Sequence, residues 1–243
     1  FWHADALLSG LERLKCGTTT SVNLLGGGDD IMRSDDPAFG NAHCEAIHRI
    51  GIREILAVGP GRHPFPKSFS WNCGSSTSEE TISFEKQLLV TEELIQRWQR
   101  MGAGKISVGV NFPVYNPEKT ETNENLPEIK RMAAEARQLS KKYSVLFLQD
   151  GHRQGTIQFA ADELDLLGPD ALFSHNIDLT ETEIALCAQT DTKIVHNPSA
   201  IMSMIGRCPV PELIDAGVTV FLGSDAAAPD RGYDMFRHMF QAM

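Results

Sequence analysis

Seven times along this chain a short β-rich segment gives way to an amphipathic helical one, and that alternation leaves few folds open. The β-rich segments cover 18–25, 53–58, 105–112, 145–148, 171–175, 193–198 and 218–225, and helical spacing of apolar residues marks 6–14, 42–50, 84–101, 126–142, 156–167, 211–216 and 233–243. A further helix opens at Leu179, where Thr180 followed by Glu183 reads as a capping box. Strict alternation predicts a parallel sheet with right-handed crossovers. A doubly wound open sheet would carry a Gly-rich dinucleotide turn early. The run Gly26-Gly27-Gly28-Asp29-Asp30 has neither that spacing nor a following Lys-Ser/Thr, so it reads as a plain loop. The remaining architecture is a TIM-like (β/α)8 barrel, with every strand's C-terminal end on one rim. A barrel needs one strand more than the seven counted. The chain enters directly on a helical pattern, so the expected order is strands 2 to 8 of a partial barrel, residues 1–243 forming one catalytic domain.

The strand ends carry the chemistry. Val220 to Leu222 reads as a buried strand that runs through Gly223-Ser224 to Asp225. Upstream, the fourth β-segment leads through Gln149-Asp150-Gly151 to His152, the fifth ends on His175 and the sixth reaches His196. Each has an ordinary alternative: a capping carboxylate, a loop histidine, a satisfied buried histidine, a turn contact. On one rim of one barrel the four would converge. Imidazole and carboxylate together suit a borderline divalent ion, zinc first, with iron or manganese as alternatives. Such an ion with an open position activates water, and a carboxylate beside it moves the proton. Arg62, His63 and Trp71, in and after the Pro/Gly loop 59–66, are the expected substrate contacts, and the segment on to Glu80 reads as long and irregular.

Composition removes other classes. A net charge of -10, with no clustering of Lys and Arg, speaks against nucleic acid or an anionic membrane as partner. No apolar run is long enough to span a bilayer, and the first residues lack a signal-peptide pattern. Five dispersed cysteines read as reduced thiols, hence a cytoplasmic protein. Lys105 and Lys193 fall at strand starts, which disfavours a metal-free lyase or aldolase.

The series Leu166 to His175, Leu179-Thr180, Glu183-Ile184, His196-Asn197-Pro198-Ser199, Pro209 to Val218 and Leu222-Gly223-Ser224-Asp225 resembles the metal-dependent amidohydrolase superfamily. Its cytosine-deaminase-like and triazine-hydrolase-like branch is the nearest match, and Cys16-Gly17-Thr18-Thr19-Thr20 resembles that group's entry to its second strand. The resemblance implies a distorted (β/α)8 barrel beside a β-sandwich domain that this sequence does not contain. It implies a metal-dependent hydrolase of a C–N or C–Cl bond in a small, cyclic substrate. By that resemblance His152, His175 and Asp225 bind the metal, Asp225 shuttles the proton, His175 also polarises the substrate, and His196 lies near it.

Two departures accompany the match. The family's first-strand His-x-His pair is absent. The glutamate expected three residues after the fifth-strand histidine is replaced by Gly155, which argues against ordinary purine or pyrimidine deamination. In another register Gln149 takes the histidine's place and His152 the glutamate's. The alternative to an active enzyme is a catalytically inactive piece of one, stable through association with another chain, and a homo-oligomer is left open.

Overall fold

The computed structural model describes residues 1–28, 33–202, 206–226 and 232–243; of Trp71, Cys73, Ile201 and Met202 it describes the backbone alone. Asp29 and Asp30 of the glycine loop lie outside the described residues. The described residues form nine strands: β1 Thr20–Leu25, β2 Arg53–Val58, β3 Lys67–Cys73, β4 Ser76–Ile82, β5 Ile106–Asn111, β6 Phe147–Gln149, β7 Ala171–Ser174, β8 Lys193–His196 and β9 Val220–Leu222. Seven form one sheet in the order β1-β2-β5-β6-β7-β8-β9, and every neighbouring pair is parallel. This is a partial TIM-like barrel whose two end strands, β1 and β9, do not pair with each other among the described residues.

Helices form where caps and apolar periodicity coincide. Pro37–Ile50 starts at Asp36, whose carboxylate accepts the Ala38 N–H at 2.8 Å, and stops at Gly51 with φ 82°. Phe84–Trp98 is capped by Ser83 and buries Val90, Leu94, Ile95 and Trp98 along one face. Burying each of those side chains fully is worth roughly 1.5–3 kcal/mol. Side chains alternate across the sheet. Phe147, Phe173 and Ile194 point into the main core beneath the helices, while Leu148 and Leu172 join Ala57 in a smaller cluster on the other face.

Three expectations are corrected. The segment after the Pro/Gly loop is not irregular: β3 and β4 form an antiparallel hairpin from Lys67↔Ile82 to Cys73↔Ser76. Gly74, with φ 65°, supplies the positive dihedral that a two-residue turn needs. The helix predicted over 156–167 ends at Asp162, because Asp165 turns to φ 52° and the Leu166 N–H returns to the Ala160 carbonyl at 3.1 Å. β9, expected as a buried strand, has no buried residue, and Phe221 is 51% exposed, because β9 ends the sheet.

The glycine run has a packing cause. A Cβ on Gly26 would overlap the Gly59 backbone, and one on Gly27 would overlap the Asn111 side chain, so the ends of β1, β2 and β5 close together only without side chains there. At the opposite end of the strands Arg137, buried on the helix Leu126–Tyr143, grips both oxygens of Asp170 at 2.6 Å, fixing the turn into β7.

Candidate metal and proton-transfer site

The C-terminal ends of β6 to β9 bring the histidines and Asp225 to one rim. The chain beyond β6 is held against the extension of β7. The His152 N–H donates to the Ser174 carbonyl at 3.0 Å, the Ile177 N–H to the His152 carbonyl at 3.0 Å, and the Gln154 N–H to the Ile177 carbonyl at 2.8 Å. The His175 N–H in turn donates to the Val195 carbonyl of β8, and the Gly223 N–H to the His196 carbonyl. His175 and Asp225 adopt φ of 71° and 61°. Such backbone costs about 1–3 kcal/mol per residue and is kept where the surroundings enforce it, most often at functional sites.

Hydrogen bonds fix the His152 tautomer. The Thr156 hydroxyl donates to the Arg153 carbonyl at 2.6 Å, so toward the His152 Nδ1, 3.0 Å away, it accepts. Nδ1 therefore carries the proton and Nε2 is a bare lone pair. That Nε2 is buried and has no hydrogen-bond partner among the described residues. Burial pushes the His152 pKa down to about 3, with His175 adding to the fall and Asp150 opposing it, so the ring stays neutral. The ring stacks on Phe173, centroids 4.3 Å apart. A neutral imidazole held by its far nitrogen with the other bare is the form that binds metal. Gln149, the alternative in the other register, is buried with its amide N–H on the Pro113 carbonyl at 3.0 Å.

His175 turns Nε2 toward two carboxylates, Asp150 Oδ1 at 3.1 Å and Asp225 Oδ2 at 3.7 Å. Carboxylates only accept, so Nε2 carries a proton, while Nδ1 is buried with no hydrogen-bond partner among the described residues. His196, at the end of β8, is buried; burial and the neighbouring His175 lower its pKa. Burial works to raise the Asp150 pKa, but His175 and the Ser174 hydroxyl outweigh it and the net shift is downward.

Among the expected substrate contacts, Arg62 lies on the β2 side of the rim, its N–H on the Gly28 carbonyl at 3.0 Å. The His63 N–H donates to the Tyr115 hydroxyl at 3.0 Å. Trp71 belongs to β3, and its side chain lies outside the described residues. Asp150 was overlooked in the sequence, although it stands between the two candidate ligand positions of its loop. Its carboxylate accepts the Ser174 hydroxyl, a polar residue one place before a rim histidine, and that was the available signal.

A zinc ion would fit this rim in kind. Two buried imidazole nitrogens lack partners, and a carboxylate stands beside them. It does not fit in arrangement, because a zinc site needs three or four protein donors converging on one point. Among the described residues no group of three or more His, Cys, Asp and Glu is arranged to hold an ion.

This fold and rim define an α/β half-barrel with an imidazole–carboxylate centre, and comparison with known proteins gives its class. The amidohydrolase family model matches residues 132–243. Over 243 residues the chain is 42% identical to a 5'-deoxyadenosine deaminase of Methanothermobacter thermautotrophicus, covering 98% of this chain and 50% of that one. It is 27% identical over 241 residues to a 5-methylthioadenosine/S-adenosylhomocysteine deaminase of Syntrophobacter fumaroxidans, covering 98% and 49%. Among solved structures, an adenosine deaminase from Xanthomonas campestris with bound zinc superposes with a TM-score of 0.70 at 20% identity, covering 99% of this chain and 49% of that one. An atrazine chlorohydrolase from Arthrobacter aurescens complexed with zinc gives 0.67 at 18%, covering 96% and 50%. The C-terminal part of the chain thus matches the amidohydrolase family, and the chain spans about half the length of the relatives it matches.

Proposed function

We propose that this chain carries part of a metal-dependent hydrolase centre acting on a C–N or C–Cl bond of a small cyclic substrate. The observation that carries the reading is the bare, buried His152 Nε2 on the same rim as His175 and Asp225. His152, His175 and Asp225 would be this chain's donors to a divalent ion, zinc in the first place, with further donors from outside the described residues. When bound, the ion supplies the Lewis acidity that makes water a nucleophile near neutral pH. Asp225 takes the water proton at its carboxylate and returns it to the leaving group. His175, its Nε2–H directed by two acceptors, orients the electrophilic carbon. His196, one strand over, contacts the substrate, and Arg62, His63 and Trp71 are its further contacts. Residues 1–243 act as one partial barrel domain.

We place the protein in the cytoplasm, a reading supported by Cys16, Cys44, Cys187 and Cys208 all being free thiols. No described helix is long and apolar enough to cross a membrane. The test is release of ammonia or chloride by the intact polypeptide that contains this sequence. Asp225→Asn should lower kcat by about 10²–10⁴-fold, the range of a proton-transfer group; an unchanged kcat would refute the role.

A second reading is favoured by the shortfall of donors among the described residues: residues 1–243 alone are inactive and gain a site, and stability, only with another chain. Zinc uptake by residues 1–243 in isolation, compared with the intact polypeptide, separates the two.

A further inference from the structure

The two ends of the open sheet are joined by side chains. β1 and β9 do not pair with each other among the described residues, and each leaves an apolar side chain exposed, Val22 and Phe221. Arg13, in the last turn of the helix Trp2–Lys15, reaches across. On one side its Nη2 donates to Asn23 Oδ1 of β1 at 2.6 Å, and its Nη1 lies 3.7 Å from Glu54 Oε2 of β2. Glu54 is buried, accepts the Ser21 hydroxyl at 3.0 Å and meets His43 Nε2 of the helix Pro37–Ile50. On the other side the guanidinium lies over the buried ring of Tyr233, which follows β9, 4.3 Å from the centroid. The neighbouring Gly232 runs close to the first helix: a Cβ there would lie 3.4 Å from the Glu12 carboxylate. This side has its own anchor. His238, buried on the helix Met235–Gln241, donates from Nε2 to the Gly232 carbonyl at 2.8 Å, and its Nδ1 pairs at 2.6 Å with the hydroxyl of Ser199, just beyond β8.

We propose that the Arg13–Tyr233 contact is a clasp. It holds the β9 end of the barrel against the β1 end and governs how often the gap between them opens. A guanidinium is attracted to the face of an aromatic ring, more strongly where water is excluded, and the Arg13 side chain is only 11% exposed. Each half keeps its own polar anchors when the contact breaks, so opening is a local event. The β9 edge is the side that yields, because β9 pairs with β8 over three residues and β1 with β2 over six. Opening bares further N–H and C=O groups along an edge, the feature that invites another strand. None of the residues proposed as donors to an ion takes part in the clasp.

The test is amide hydrogen exchange in the intact polypeptide that contains this sequence, comparing wild type with Arg13→Met, Tyr233→Leu, the double variant and Tyr233→Phe. The Gly223 N–H, on the His196 carbonyl at 2.8 Å, and the Ile194 N–H, on the Thr219 carbonyl at 3.0 Å, report the β9 edge. The Phe112 N–H, on the Leu148 carbonyl at 2.9 Å, reports the middle of the sheet. Arg13→Met and Tyr233→Leu should each speed exchange at the β9 edge by about 3- to 30-fold, the span of a cation–π contact. The double variant should be no faster than the faster single one, since both remove the same contact. Tyr233→Phe keeps the ring and should exchange as wild type does, and it decides against Tyr233→Leu alone if Arg13→Met fails to fold. A Tyr233→Leu variant that leaves the β9 edge unchanged, or that speeds Phe112 equally, overturns the clasp, as does a double variant in which the two effects multiply.

Discussion

Replacing Glu183 by alanine should destabilise two helices at once. Its carboxylate is buried. One oxygen accepts the Thr180 N–H at 3.1 Å and the Thr180 hydroxyl at 3.1 Å, closing the capping box of the helix Glu181–Thr190. The other accepts the N–H groups of Ile157 at 3.1 Å and Gln158 at 3.4 Å, the first turn of the helix Thr156–Asp162. That second helix has no cap from its own sequence, since Gly155 precedes it. Loss of a cap costs about 1 kcal/mol, and each buried donor left unpaired adds about 1–3 kcal/mol. Two caps and the buried Ile157 N–H together make Glu183→Ala cost roughly 3–5 kcal/mol. In a chain of this size that lowers Tm by roughly 6–20 °C. Glu183→Gln keeps one accepting oxygen and should cost about half as much. Thermal and urea unfolding of the three proteins measure the series. An alanine variant within about 1 kcal/mol of wild type, or a glutamine variant as damaged as alanine, would refute the double-cap argument.

Further expectations concern the two ends of the barrel. Asp170, held by Arg137, has its pKa lowered: burial works to raise it and Arg137 overcomes that. A depressed carboxylate contributes stability above its unfolded pKa of about 3.9, and that contribution is lost as pH falls through the folded value. The gap in unfolding free energy between wild type and Arg137→Met should therefore narrow on acidification from pH about 6 to below about 3; a gap constant with pH contradicts the pairing. Thr156→Val removes the acceptor for His152 Nδ1–H, so nitrogen NMR should find a mixture of ring tautomers where wild type has Nδ1–H alone. An unchanged ring spectrum would show that some other group sets the tautomer.

The sheet was legible because β-rich apolar runs alternated with helical ones; each of the seven strands appears within three residues of its expected bounds. The hairpin has a signal in the sequence too: Phe69, Trp71 and Cys73 alternate with Ser68, Ser70 and Asn72 up to Gly74, directly after a Pro-rich stretch that by itself reads as loop. The helix after Thr156 could not be bounded, because its apolar residues Leu164 and Leu166 are buried after the helix has ended. Of the rim, residue types at strand ends pointed to His175, His196 and Asp225. The state of His152 could not be read, since it depends on a hydroxyl four residues on whose own proton is committed elsewhere. Asp150 escaped because its partners, Ser174 and His175, stand on another strand.

The measurement that bears most directly on the account is zinc binding by the intact polypeptide, followed by calorimetry and by the ring nitrogens of His152. The account predicts that zinc shifts the His152 Nε2 resonance and that both His152→Ala and Asp225→Asn weaken binding. Zinc uptake that leaves His152 Nε2 unmoved, or that is as tight in both variants as in wild type, would contradict it.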